Sequence, residues 1–139
     1  MEHMRRMLFL VLLAGIAGTG AELLLTSHTA DVWQKLPVAL LGAAVPIVVV
    51  VALNPARVTV AVMRGVMVLF MAAGALGMYL HYDSNAEFAV ELDPALSGFA
   101  LFAEALTRPT PPPLAPGTMI MLGLLGLVCC YRIDTRKGD

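Results

Sequence analysis

Charged side chains are scarce in this chain. Only 14% of its 139 residues are Asp, Glu, Lys or Arg, whereas 59% are hydrophobic and the mean hydropathy is +0.82. Soluble domains average about 25% charged and about 45–50% apolar residues. The shortage of charge therefore argues against a soluble globule, and it leaves no basic surface for nucleic acid. The sequence predicts an integral membrane protein whose main partner is the lipid bilayer.

Sequence motifs of catalysis are also missing. The chain has no Gly-Lys-Ser/Thr phosphate loop, no His-Glu-x-x-His, no Gly-x-Ser-x-Gly and no Cys-x-x-Cys-His. Its two cysteines, Cys129 and Cys130, are adjacent, and a disulfide between neighbours strains the peptide that joins them. We therefore expect a non-enzymatic protein with reduced thiols and with no resident cofactor.

Four apolar stretches predict membrane-spanning helices, because about 20 apolar residues cross a hydrocarbon core of about 30 Å. Clusters of small residues within three of them predict close helix packing. A signal peptide is the alternative for the first stretch, but its hydrophobicity resumes at Leu23–Leu25, so we expect it to be retained. The fold class is thus an all-α integral membrane protein with one four-helix domain, its spans covering about 6–26, 37–53, 58–81 and 114–131.

The basic residues predict the orientation. Seven of the nine lie at one set of span ends, and only Lys35 and Arg108 lie at the other. Positive charge is enriched on the cytoplasmic side of membrane proteins. We expect a bacterial inner-membrane location, with both termini in the cytoplasm and the connection 82–113 facing the periplasm or exterior. Arg64 lies just inside its span, and we expect its side chain to reach back to the headgroups.

The connection 82–113, called the cap below, is the only long one in the chain, and its pattern predicts order. Residues 87–93 alternate acidic and apolar side chains, which is typical of a half-buried strand. Asp93-Pro94 then predicts the start of a short amphipathic helix. The apolar face of that helix would consist of Leu96, Phe99, Ala103 and Leu106.

The leading functional hypothesis follows from this cap. An ordered loop that carries both acids and aromatic side chains needs a surface to cover, so we expect an accessory or assembly subunit. It would dock onto other membrane protein subunits or onto copies of itself as a homo-oligomer. The predicted partner or cation surface comprises Glu87, Phe88, Glu91, Asp93, Phe99 and Phe102.

Two other hypotheses rest on polar residues near the predicted outer ends of the spans. Glu22 is the one acid inside a span, and an intramembrane carboxylate needs a partner. Together with His28, His81 and Asp83 it predicts a small carrier or sensor that binds a proton or a metal ion. His28 and His81 alone would instead be the two axial ligands of a b-type haem in an electron-transfer subunit.

Overall fold

The computed structural model describes residues 2–26, 32–108 and 114–133. Within these ranges the structure is all-helical, as predicted, and it contains no strand. Helices suit apolar runs because each helix satisfies its own backbone hydrogen bonds, which lipid cannot do. The helices are α1 (Glu2–Leu25), α2 (Val32–Leu53), α3 (Arg57–Leu92), α4 (Gly98–Thr107) and α5 (Leu114–Cys129).

Three helices, α1, α2 and α3, are long and apolar enough to cross a membrane. The α5 helix is apolar but has only 16 residues, so at about 1.5 Å per residue it is about 24 Å long. A hydrocarbon core is about 30 Å thick. Length and composition therefore support three of the predicted spans, and the fourth stays a prediction.

The helices α1, α2, α3 and α5 form a closed ring in that order, each contacting two neighbours, with the α3–α5 interface the most extensive. One end of the ring, called the arginine end, carries Arg5, Arg57, Arg64 and Arg132. The opposite end, called the cap end, holds the junction of α1 with α2 and the start of α5. The interior is filled by large buried side chains: Leu12, Ile16, Leu41, Met63, Met67, Phe70 and Met119.

Glycines allow α3 and α5 to approach closely. A Cβ atom at Gly74 would lie 2.5 Å from the carbonyl oxygen of Pro116, and one at Gly123 would lie 2.6 Å from that of Met67. Neither position has room for a side chain, because in both cases the neighbouring atom belongs to the backbone of the facing helix. Such contacts between small residues are the usual basis of helix association in lipid.

The predicted strand at 87–93 is wrong, because α3 continues as a helix through Leu92. Ala, Glu and Leu fill most of this segment and are strong helix formers, and no Gly or Pro interrupts it before Pro94. The same residues that alternate with period two also place Glu87 and Glu91 four apart on one helix face. At 36 residues α3 is about 54 Å long, so it extends well beyond a core of about 30 Å.

The predicted start of the short helix at Asp93-Pro94 is also wrong, because Pro94 ends α3 instead. A residue before proline avoids the helical conformation, and Asp93 has φ −138° and ψ 95°. Its Oδ1 atom accepts a hydrogen bond from the N–H of Ala95 at 3.0 Å, which forms a turn. The short helix α4 begins at Gly98, whose φ of +57° suits glycine.

The α2 helix begins at Val32, five residues before the predicted start of the second span. Pro37 therefore lies inside the helix rather than in its first position. It leaves the carbonyl of Trp33 without an intrahelical partner. That carbonyl lies at the cap end.

Candidate functional site

A cavity of about 300 Å³ lies at the cap end, where the ends of the ring helices diverge. All four ring helices contribute to its wall, since the end of α1 and the starts of α2 and α5 surround the middle of α3. Its lining residues are Leu23, Trp33, Gln34, Pro37, Ala73, Gly77, Leu80, His81, Ser84, Ala115, Pro116 and Met119.

The polar lining residues lie toward one side of this cavity. Trp33 and Gln34 come from the first turn of α2, and His81 and Ser84 come from the part of α3 that follows its apolar run. Ala73 and Met119 lie deeper in the ring, Ala73 about two turns from His81 along α3 and Met119 about one turn from Ala115 along α5. The cavity therefore has an apolar floor and a polar rim. The rim contains Trp33, and tryptophan favours the headgroup boundary of a membrane.

The floor of the cavity is closed by the contact of α3 with α5. Gly74 touches the backbone of Pro116 directly below it, and a Cβ atom at Gly77 would lie 3.1 Å from the Cγ of Pro116. One turn further along α3 the two helices separate, and His81 faces the open space. The glycines thus set both the closeness of the helices and the depth of the cavity.

Of the three predicted cation ligands that the structure describes, one lines this cavity. His81 lines it and is half-buried, whereas Glu22 and Asp83 are exposed and lie outside its lining. His28 lies outside the described residues, so its pairing with His81, in a metal site or on a haem, stays a prediction. Among the residues that the structure describes, no three His, Cys, Asp or Glu side chains come together as a metal site.

The described part of the cap is a pair of helices, with α4 packed on the extension of α3. Asn85 Nδ2 donates a hydrogen bond to the carbonyl of Ala105 at 3.0 Å, and the rings of Tyr82 and Phe102 are 5.8 Å apart. Ala105 is fully buried, as is Ala89 on α3. Among the described helices, α4 contacts only α3. In the described part of the cap, α4 is therefore held to the ring through α3.

Arg108, the only basic residue of the cap, has its charge engaged within the cap. Its Nη2 atom lies 3.2 Å from Glu104 Oε1, and its guanidinium carbon lies 4.9 Å from the centre of the Phe88 ring. The side chain is only 15% exposed. Ion pairing and cation–π contact both hold it against the α3–α4 pair.

The predicted partner surface lies on the outside of this cap. Glu87 and Glu91 are exposed and follow Asp83 at four-residue intervals on α3, so these three acids form one row, called the acidic stripe. Asp93 is exposed beyond it. Phe99, predicted to belong both to the apolar face of the short helix and to the partner surface, is 82% exposed, while Phe88 and Phe102 are about half exposed and each contacts a side chain of the cap.

At the arginine end, Arg64 has a contact that the sequence does not reveal. Its Nη2 atom donates a hydrogen bond to the carbonyl of Cys130 at 2.9 Å, and Arg5 Nη2 donates one to the carbonyl of Arg132 at 3.1 Å. The last carbonyls of a helix lack intrahelical donors. These two arginines donate hydrogen bonds to carbonyls just beyond the last residue of α5. Cys129 and Cys130 are buried free thiols, as expected.

Sequence reasoning missed Trp33, Gln34 and Ser84 as cavity residues. Their one common signal is that each lies within a few residues of a predicted span end, where polar side chains meet the apolar ring. No protein-family model matches the chain, and no curated protein and no solved structure shows a significant similarity to it.

Proposed function

We propose that this protein is a non-enzymatic accessory subunit of the bacterial inner membrane. In this proposal α1, α2, α3 and α5 cross the bilayer, the arginine end faces the cytoplasm and the cap faces the periplasm. The cap then docks, through its acidic stripe and exposed apolar side chains, onto a basic surface of a different membrane protein. The observation that carries the proposal is the acidic stripe of Asp83, Glu87 and Glu91, which has no basic counterpart in the cap.

Support for four spans comes from the way α5 ends. A helix of about 24 Å is shorter than the hydrocarbon core, so one of its ends would leave carbonyl groups in lipid. Arg64 lies two turns into α3 and reaches the carbonyl of Cys130. A long arginine side chain can satisfy that carbonyl and still direct its charge toward the headgroups. The short helix is then compatible with a spanning position.

Support for the orientation comes from the distribution of arginine. Arg5, Arg57, Arg64 and Arg132 all lie at one end of the ring, and basic residues near span ends favour the cytoplasmic side. The cap end carries a single lysine, Lys35, and the engaged Arg108.

The charge of the cap favours a different protein over a second copy. Residues 82–113 contain five acids and one base, and Arg108 is already paired with Glu104. In a two-fold dimer the same surface meets itself, so the acidic stripe would face another acidic stripe. Opposed like charges oppose association. A basic partner avoids this repulsion and gains from long-range attraction.

Exposed apolar side chains beside the stripe provide the contact area. Phe99, Leu92 and Leu106 are 82%, 64% and 60% exposed, and all three lie in the part of the chain beyond the predicted membrane boundary. Aromatic and apolar anchors with a charged rim are the common anatomy of docking surfaces. Charge then selects the partner, and the apolar anchors hold it.

The test is co-purification from the native host in mild detergent, with the double variant Glu87→Lys/Glu91→Lys. We expect the amount of co-purified partner, measured by quantitative mass spectrometry, to fall at least tenfold, and raised salt to weaken wild-type capture because surface charges are screened. The matched control is Glu22→Lys, which reverses an exposed carboxylate at the same end of the ring but outside the cap. Equal capture by wild type and the double variant would contradict the proposal.

A further inference from the structure

We propose that the cavity at the cap end binds a neutral, lipophilic carbonyl compound, the chemistry represented in membranes by quinones. The carbonyl would be held at the rim by Trp33, His81 and Ser84, and the apolar body would lie over Ala73 and Met119. This inference concerns the interior of the ring and does not depend on what the cap docks onto.

The position of the cavity favours a lipophilic ligand. Its floor is lined by Ala73 and Met119, which lie within the apolar parts of α3 and α5. At the rim Trp33 is 60% exposed and Leu80 is 36% exposed on the outer surface of the ring. A molecule dissolved in the bilayer can therefore reach the cavity between apolar side chains without passing through water.

The absence of fixed charge favours a neutral ligand. None of the lining residues is Asp, Glu, Lys or Arg, and His81 is the only one that can take up a positive charge near neutral pH. Burying a carboxylate or an ammonium group without an opposite charge is costly. An amine would find no counter-charge here, and a fatty acid would find one only where His81 is protonated.

The hydrogen-bonding groups favour a carbonyl. The indole of Trp33 can only donate, and the amide of Gln34, the imidazole of His81 and the hydroxyl of Ser84 can each donate as well. Gln34 and His81 also have interactions within the protein. An oxygen that only accepts hydrogen bonds fits such a rim, because the indole of Trp33 can only donate and the hydroxyl of Ser84 can turn its proton toward the ligand.

The size of the cavity suits one ring system. Its volume of about 300 Å³ lies at the lower end of the range of about 300–1,000 Å³ found for ligand pockets. The contact of Gly74 and Gly77 with Pro116 closes the floor. A ring with its carbonyl at the rim therefore occupies the space, and a long tail must leave between the helices into lipid.

Trp33 makes the test direct, because it is the only tryptophan of the chain and it lines the cavity. The full-length protein in mild detergent is titrated with decylubiquinone while tryptophan emission is recorded. Decylbenzene, which lacks a carbonyl, and laurate, which carries a charge, do not quench tryptophan, so their affinities are measured by displacement of bound decylubiquinone. N-acetyltryptophanamide in the same micelles gives the quenching expected without a site.

Two alanines provide matched variants. Ala73 lines the cavity, whereas Ala72, its neighbour, faces away and is exposed. Ala73→Leu fills the space, so we expect at least tenfold weaker decylubiquinone binding, while Ala72→Leu keeps the wild-type affinity. His81→Leu removes a rim donor, and we expect it to weaken decylubiquinone about tenfold and to leave the weak binding of decylbenzene unchanged. Circular dichroism verifies that each variant is folded.

Saturable quenching of wild type by decylubiquinone, with an affinity at least tenfold higher than the affinities of decylbenzene and laurate, supports the proposal even if a variant does not fold. Quenching that rises linearly, as for N-acetyltryptophanamide, would overturn it. Equal affinities for the three probes, or equal loss in Ala72→Leu and Ala73→Leu, would also overturn it.

Discussion

A close contact between the backbones of α3 and α5 gives a prediction with a defined magnitude. Gly123 of α5 packs on α3 so closely that an added Cβ atom would lie 2.6 Å from the carbonyl oxygen of Met67 and 2.7 Å from Cγ of Met71. Carbon–oxygen contacts between helices are normally at least about 3.3 Å. In Gly123→Ala the two helices must therefore move apart locally by about 0.7 Å, because a backbone carbonyl cannot rotate away as a side chain can.

This separation weakens the most extensive interface of the ring. A gap of about 0.5–1 Å forfeits about a quarter to a half of the dispersion energy at each affected contact. Overpacking of this kind typically costs about 1–3 kcal/mol, and the better helix propensity of alanine returns up to about 1 kcal/mol. We expect a net loss of about 1–2 kcal/mol in the free energy of unfolding.

The assay is reversible unfolding in mixed micelles with increasing SDS, followed by circular dichroism. Gly42→Ala is the control, because Gly42 is exposed and an added Cβ atom there meets nothing within 4 Å. That variant should be unchanged or up to about 1 kcal/mol more stable than wild type. If Gly123→Ala proves as stable as Gly42→Ala, the close approach of α3 and α5 described above is incorrect.

Two further predictions concern single hydrogen bonds. Arg64→Leu removes the donor to the carbonyl of Cys130. We expect about 1.5–3 kcal/mol of destabilisation in the same SDS assay, since hydrogen bonds to charged groups are of that size. Wild-type stability would contradict the role of Arg64 at the end of α5. Asn85→Ala removes the hydrogen bond to the carbonyl of Ala105, which contributes about 1 kcal/mol. Hydrogen exchange of the α4 amides should therefore accelerate about fivefold, while the amides of α1 and α2 stay protected. Unchanged exchange in α4 would show that other contacts hold it on α3.

The ring helices were predictable from sequence because their apolar runs are long. Three of the four predicted spans coincide with helices that can cross a membrane, and the fourth coincides with the shorter α5. For apolar runs of this length, the need to hydrogen-bond every backbone N–H and C=O group within the helix outweighs differences in helix propensity between residues. Even two internal prolines, Pro37 and Pro46, do not end α2.

The cap was predicted less well, because its signals are short. Seven alternating residues favoured a strand at 87–93, but that stretch also continues α3 without a helix breaker, and the helix wins. The side of α4 that packs on α3 was not predicted: Ala105, outside the predicted apolar face, is buried, whereas Phe99 within that face is exposed. Packing there is set by the small residue Ala89 on α3, which no pattern within α4 reveals.

The cavity and the arginine contacts could not be predicted, because both join distant parts of the chain. Trp33 and Ser84 belong to different helices that the ring brings together, and Arg64 lies 66 residues from the carbonyl that it contacts. Periodicity within one helix carries no information about such partners. His81 was identified as a site residue from its place at a span end, and the structure gives it a cavity to line.

Native mass spectrometry of the protein, extracted from its own host in mild detergent, tests the docking proposal most directly. The acidic stripe, the engaged Arg108 and the exposed Phe99 predict a complex that contains this chain together with a different protein. That complex should dissociate when the Glu87→Lys/Glu91→Lys variant is extracted in the same way. A lone chain, or a mass that is a multiple of this chain only, would contradict the account.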